Sequence, residues 1–152
     1  METVPNENEK KEELSLKLFV VLTRAVQTIT KQVEKDIKTY GMNATEFSVL
    51  ELLYHRGDQP IQKIGEKVLL ASSSMTYVVD KLEKKEWIVR RPCSEDRRVV
   101  YAAITEKGRE VMDEIFPKHQ AFVHHLLNGL ASEEKEQLIE QLKKLGLYAE
   151  EV

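Results

Sequence analysis

A mainly α-helical fold with one small β-hairpin, ordered as a winged helix-turn-helix and paired into a dimer, is what the sequence predicts. Three observations point there. Apolar residues recur at steps of three and four through most of the 152 residues. The period changes to two in one place only, the runs 87–91 and 98–104. Between those runs stand four consecutive charges, Glu95, Asp96, Arg97 and Arg98, at the tip of what reads as a hairpin.

The elements follow in order. Leu14, Leu18, Leu22, Ala25, Ile29, Val33 and Ile37 form the stripe of a long first helix, which Gly41 ends. Asn43 offers an N-cap, with Glu46 three residues on to reach back, for a second helix with Phe47, Leu50, Leu53 and Tyr54 on one face. Pro60 opens a short third helix with Ile61, Ile64 and Val68 inward. Met75, Val78, Val79 and Leu82 mark one narrow stripe of a fourth helix, with Ser72 or Ser73 at its start. Its opposite face carries Ser73, Ser74, Thr76 and Tyr77, then Lys81 and Lys84. The hairpin follows, with Val100, Ala102 and Ile104 on one face of its second strand. Thr105 caps a fifth helix, which Pro117 kinks without ending. After Gly129, Ser132 starts a sixth with Leu138, Leu142 and Leu145 on a stripe. The first and last stripes are too long to be covered by the small central module, so a second copy is expected to cover them.

Composition narrows the class. No apolar run approaches the ~18 residues that span a bilayer. Residues 1–13 are polar, without the apolar centre of a secretion signal, and read as a flexible tail. A single cysteine, Cys93, excludes an intrachain disulfide, and a cytoplasmic setting is expected. The net charge is −3, but residues 61–110 hold eleven Lys and Arg against eight Asp and Glu, so the centre is basic while the remainder is acidic.

A helix that buries one stripe and presents small polar groups, then cations, suits a DNA groove: the former approach base edges, the latter phosphates. A hairpin tip beside it could lay arginine along the minor groove, where negative potential is concentrated. Asp96 would stand beside Arg98 and fix its direction. Alone, such a charge run is a solvated turn whose ion pair contributes roughly 0–1 kcal/mol. Its position after a polar-faced helix favours the wing.

The stretches "NATEFSVLELL", "IQKIGEKV" and "SSSMTYVVDKLEKKEWIVRRPCSEDRRVVYAAITEKG" resemble those of MarR-type transcriptional regulators, most specifically in "VDKLEKK", "DRR" and "ITEKG". With "IFPKH", the wording is most similar to the methylhydroquinone-sensing branch. The resemblance covers essentially the whole chain. It implies a dimeric repressor of a pseudo-palindromic operator, with a winged helix-turn-helix lobe over 41–104 and a dimerisation region over 14–40 and 105–152. It places DNA contacts on Ser73, Ser74, Thr76, Tyr77 and Lys81, and on the wing's Asp96, Arg97 and Arg98. It also implies a small aromatic effector, such as a quinone or catechol. Glu86 departs from the family pattern, which has glycine there; glutamate enters the left-handed region poorly.

The remaining chemistry-bearing residues carry less. Cys93 reads as a small hairpin residue rather than a sensing thiol, and the cysteine near the N-terminus used by the peroxide-sensing branch is absent. His55, His119, His124 and His125 lack the spacing and partners of a zinc set. Tyr54 and His55, near the expected dimer cleft, are candidates to line a ligand pocket. No nucleophile–base pair, phosphate loop or paired-acid arrangement suggests an enzyme, and no cofactor is expected. The rival reading is a winged-helix module that binds protein instead of DNA.

Overall fold

The computed structural model describes residues 3–69 and 74–152. Helix α1 (Glu7–Lys38) begins seven residues ahead of its apolar stripe. Asn6 caps it: its side chain accepts the Glu9 N–H at 2.9 Å, and the Glu9 carboxylate accepts the Asn6 N–H at 2.8 Å. Residues 7–13, expected to be tail, are therefore helical. Periodicity could not show this, because a turn that is polar on every side leaves no stripe.

Asn43 and Glu46 form the predicted capping box of α2 (Ala44–Arg56), and Gly57 closes it at φ +76°. A strand that sequence reasoning missed, β1 (Gln59–Pro60), then leads into α3 (Ile61–Lys67). Helix α4 (Met75–Lys84) precedes the wing strands β2 (Ile88–Pro92) and β3 (Val100–Ile104). The sheet is antiparallel in the order β1-β3-β2, with Arg90 opposite Ala102 and Gln59 opposite Ala102 from the other side. Thr105 caps α5 (Glu106–Leu126), which runs unbroken through Pro117, and α6 (Ser132–Glu150) completes the described chain.

Helix α2 is the hub. Its Phe47, Leu50 and Leu53 pack with Ile37 of α1, Ile64 of α3, Val78, Val79 and Leu82 of α4, Ile88 and Ala102 of the wing, and Met112 of α5. Each such burial contributes roughly 1.5–3 kcal/mol, so one cluster holds α4 and the wing in fixed relation.

The passage from α4 into β2 and from β3 into α5 is a single joint. Glu86 takes φ +64°, the conformation for which glycine is the usual residue. The Thr105 hydroxyl donates to the Glu86 carbonyl at 2.6 Å, and the Thr105 N–H donates to the Trp87 carbonyl at 2.9 Å. Gly108 completes the joint: a Cβ there would lie 2.2 Å from the Trp87 carbonyl oxygen. The "ITEKG" segment is thus the seat on which the wing rests.

The two ends of the chain are different. Only Val33 and Ile37 of α1 are buried, and α6 has no buried residue. Leu14, Leu18, Phe19 and Val21 of α1 and Leu138, Ile139, Leu142 and Leu145 of α6 are exposed. Leu18, Leu138, Leu142, Leu145 and Tyr148 line an apolar groove between the two helices.

Candidate nucleic-acid interface

Helix α4 divides as its sequence predicts. Val78, Val79 and Leu82 are buried, while Ser74, Thr76 and Tyr77 face outward. Ser74 holds the N-cap position without a side-chain capping bond, which leaves its hydroxyl free of that role. Ser73, and Ser72 before it, lie outside the described residues. Lys84 is exposed, whereas Lys81 is half-buried.

The wing tip is ordered by its own side chains. Cys93 donates its N–H to the Val99 carbonyl at 2.9 Å, and Val99 donates to the Asp96 carbonyl at 3.0 Å. Asp96 accepts three hydrogen bonds from Arg98: the backbone N–H at 3.0 Å, Nε at 3.1 Å and Nη2 at 3.3 Å. These bonds hold its carboxyl below the usual carboxylate range. The Arg98 side chain stays 91% exposed, so Asp96 aims the guanidinium without covering it. Arg97 is exposed beside it.

Two anchors of this surface were not found from sequence. Arg90 of β2 donates Nη1 to Glu83 at 2.9 Å and Nη2 to Asp80, and its N–H reaches Glu83 as well, which clasps the wing to α4. Glu46 of α2 is buried and accepts Lys85 Nζ at 2.9 Å and Lys81 Nζ at 3.3 Å. Burial pushes its carboxyl up; the two lysines, with the Asn43 N–H, more than offset this and hold it below the usual range. A glutamate at the third position of a helix signals only a capping box. Its lysines stand 35 and 39 residues away, beyond any local pattern.

The Tyr54 and His55 rings stay in edge-on contact, centroids 5.0 Å apart, but their polar ends go different ways. Tyr54 donates its hydroxyl to Asp113 of α5 and carries Arg109 over its ring, and it lines neither of the neighbouring clefts. His55 packs edge-on against Phe116 and lines a cleft of about 390 Å³ together with Ser48, Glu51, Arg56 and Lys67. Ser48 and Glu51 are shared with a second cleft of about 250 Å³, between α1, α2 and α5, whose walls include Ile29, Thr30, Phe47 and His119. The His119 ring lies tilted against Phe47, centroids 4.6 Å apart, and its Nδ1 is buried without a hydrogen-bond partner in the protein. Sequence reasoning weighed His119 only as a metal ligand. No cluster of three or more His, Cys, Asp or Glu suited to a metal occurs among the described residues.

A polar-faced helix clasped to an arginine-tipped hairpin, seated on a helical hub, defines a winged helix-turn-helix protein of the DNA-binding class. Comparison with known proteins gives the family. The MarR family model matches residues 42–100. The HTH-type transcriptional regulator MhqR of Bacillus subtilis is 53% identical over 139 residues, 91% of this chain and 96% of that protein. The transcriptional repressor MprA of Escherichia coli K12 is 36% identical over 113 residues, 73% of this chain and 64% of MprA. The fold is shared with Sco3205, a MarR family regulator of Streptomyces coelicolor solved in complex with DNA, at a TM-score of 0.74 and 20% identity over 96% of this chain and 90% of that one. The chain belongs to the MarR family and is a DNA-binding transcriptional regulator. Among the described residues, no helix is long and apolar enough to cross a membrane.

Proposed function

We propose that the chain is a homodimeric, ligand-responsive repressor that grips a pseudo-palindromic operator. In this reading Ser73, Ser74, Thr76 and Tyr77 face the major groove, Lys81 stands at the end of that face with its ammonium held back by Glu46, and Arg97 and Arg98 reach the adjacent minor groove under the guidance of Asp96. The observation that carries it is the Arg98 guanidinium, exposed yet held in direction by Asp96, beside the polar face of α4. The lobe 41–104 does the reading, and 14–40 with 105–152 does the pairing. Exposed apolar stripes on α1 and α6 support that division, since patches of this extent on a soluble protein are usually covered by a partner. The two-fold axis then sets half-sites about one helical turn apart, or a multiple of it.

The effector is a small aromatic of the quinone or catechol kind. The cleft between α1, α2 and α5 suits it: Ile29, Val33 and Val123 give apolar walls, and Ser48, Thr30 and the unpartnered His119 Nδ1 stand among them for hydrogen bonding. His55 stands at the rim of the adjoining cleft. Release of DNA follows if the occupied cleft favours an arrangement of the two lobes that misplaces the half-sites.

The test is a titration of the protein with its own promoter fragment and with scrambled DNA at several salt concentrations, repeated with added catechol. Affinity should fall steeply with salt, favour the promoter, and drop with the ligand. Absence of salt-dependent DNA binding would overturn the reading in favour of a protein-interaction module.

A further inference from the structure

We propose that Glu46 is a positioning residue for DNA recognition, which holds Lys81 and Lys85 at the end of α4 and so withdraws two cations from indiscriminate phosphate binding. The inference rests on α4 being the DNA-reading helix. The Glu46 side chain is 2% exposed, and its oxygens are divided between the two ammonium groups, Oε1 to Lys81 and Oε2 to Lys85. Lys85 is further engaged by the Trp87 ring, whose centre lies 4.6 Å from Nζ. One carboxylate from the hub thus reaches the last turn of α4 and, through Lys85, the entry to the wing.

The consequence is electrostatic. Lys81, Lys84 and Lys85 crowd the end of α4, and three free ammonium groups there would attract any phosphate backbone. Each phosphate contact adds about 0.9 to the salt slope and strengthens specific and non-specific binding alike. Holding two of the three lowers affinity for the wrong DNA while Thr76 and Tyr77 keep their base contacts, so the specificity ratio rises. Lys81 and Lys85 keep 43% and 30% of their side-chain surface exposed. They can therefore swing to solvent or to DNA once Glu46 loses its charge, which makes the arrangement testable without burying an orphaned cation.

Glu46→Gln keeps the volume and an oxygen for the Asn43 N–H but removes the charge. Its affinity for scrambled DNA at low salt should rise about tenfold, the salt slope should steepen by about one to two, and the preference for operator should fall in proportion. Lys81→Met should lower the slope by about one in the Glu46→Gln background and by less than half of that in the native one. A role in folding alone would lower the melting temperature but would not raise non-specific affinity. An unchanged slope and operator preference in Glu46→Gln would overturn the proposal. If Glu46→Gln does not fold, Lys81→Met and Lys84→Met decide: Lys84→Met should cost about one unit of slope and Lys81→Met well under half, and equal losses would overturn it. Native protein that binds no DNA at any salt would instead sink the regulatory reading, and this inference with it.

Discussion

Lys85 Nζ lies 2.9 Å from Oε2 of Glu46, joining the end of α4 to the first turn of α2 across 39 residues of chain. Because the lysines hold the folded-state pKa of Glu46 below its unfolded value of about 4.5, the pair's contribution is complete above that pH and is lost as pH falls through the folded value. At pH 7 Glu46→Gln should therefore melt below the native protein. The gap should close as pH is lowered below about 4.5, as melting curves over a pH series will show. A gap that stays constant over the series would assign the stability to capping and not to charge.

Wing and helix should fail in different ways. Arg98→Ala should weaken binding to operator and scrambled DNA alike and lower the salt slope by about one, with Asp96→Ala a milder version because it only frees the arginine's direction. Thr76→Ala and Tyr77→Ala should leave scrambled DNA almost unaffected and cost about 1–3 kcal/mol of discrimination at each lost base contact. Titrations on both DNAs at several salt concentrations separate the two patterns. An Arg98→Ala protein with native affinity and slope would reduce the tip to a solvated turn.

The joint beneath the wing should respond oppositely at its two unusual positions. Glu86→Gly relieves a left-handed glutamate and gives up only an exposed contact with Lys107 at 3.4 Å. It should raise stability by about 1 kcal/mol. Gly108→Ala forces a methyl group onto the Trp87 carbonyl and should cost about 1–3 kcal/mol. Urea unfolding of the two variants tests both signs.

Leu142 lies in the apolar groove between α1 and α6 and is exposed. Leu142→Glu should disrupt the dimer without unfolding the lobe 41–104, and operator affinity should fall because a single lobe grips only one half-site. Sedimentation should show a lighter species with unchanged helix content by circular dichroism. A Leu142→Glu protein that remained a tight dimer would place the interface elsewhere.

Features governed by neighbours along the chain were legible in the sequence. The stripe of α4, the Asn43–Glu46 capping box, the Thr105 cap and the alternation of the wing strands, expected over 87–91 and 98–104 and found at 88–92 and 100–104, depend on residues one to four apart, and so does the aim of Arg98 by Asp96. Glu86 was marked only by the resemblance, as glutamate where the family has glycine; that it nevertheless takes the left-handed conformation is decided by the fold. Tertiary structure decided what arrives from a distance. Strand β1 is two residues long, too short for any period, and exists because β3 offers it an edge. The Arg90 clasp and the lysines on Glu46 depend on how α4 lies against β2 and α2. Tyr54 and His55 are adjacent in sequence, yet one turns to Asp113 and the other to a cleft, because neighbouring residues on a helix point about 100° apart and only packing says what each direction meets. Local order follows from backbone geometry and capping; the partner of a buried charge follows only from which helices share a core.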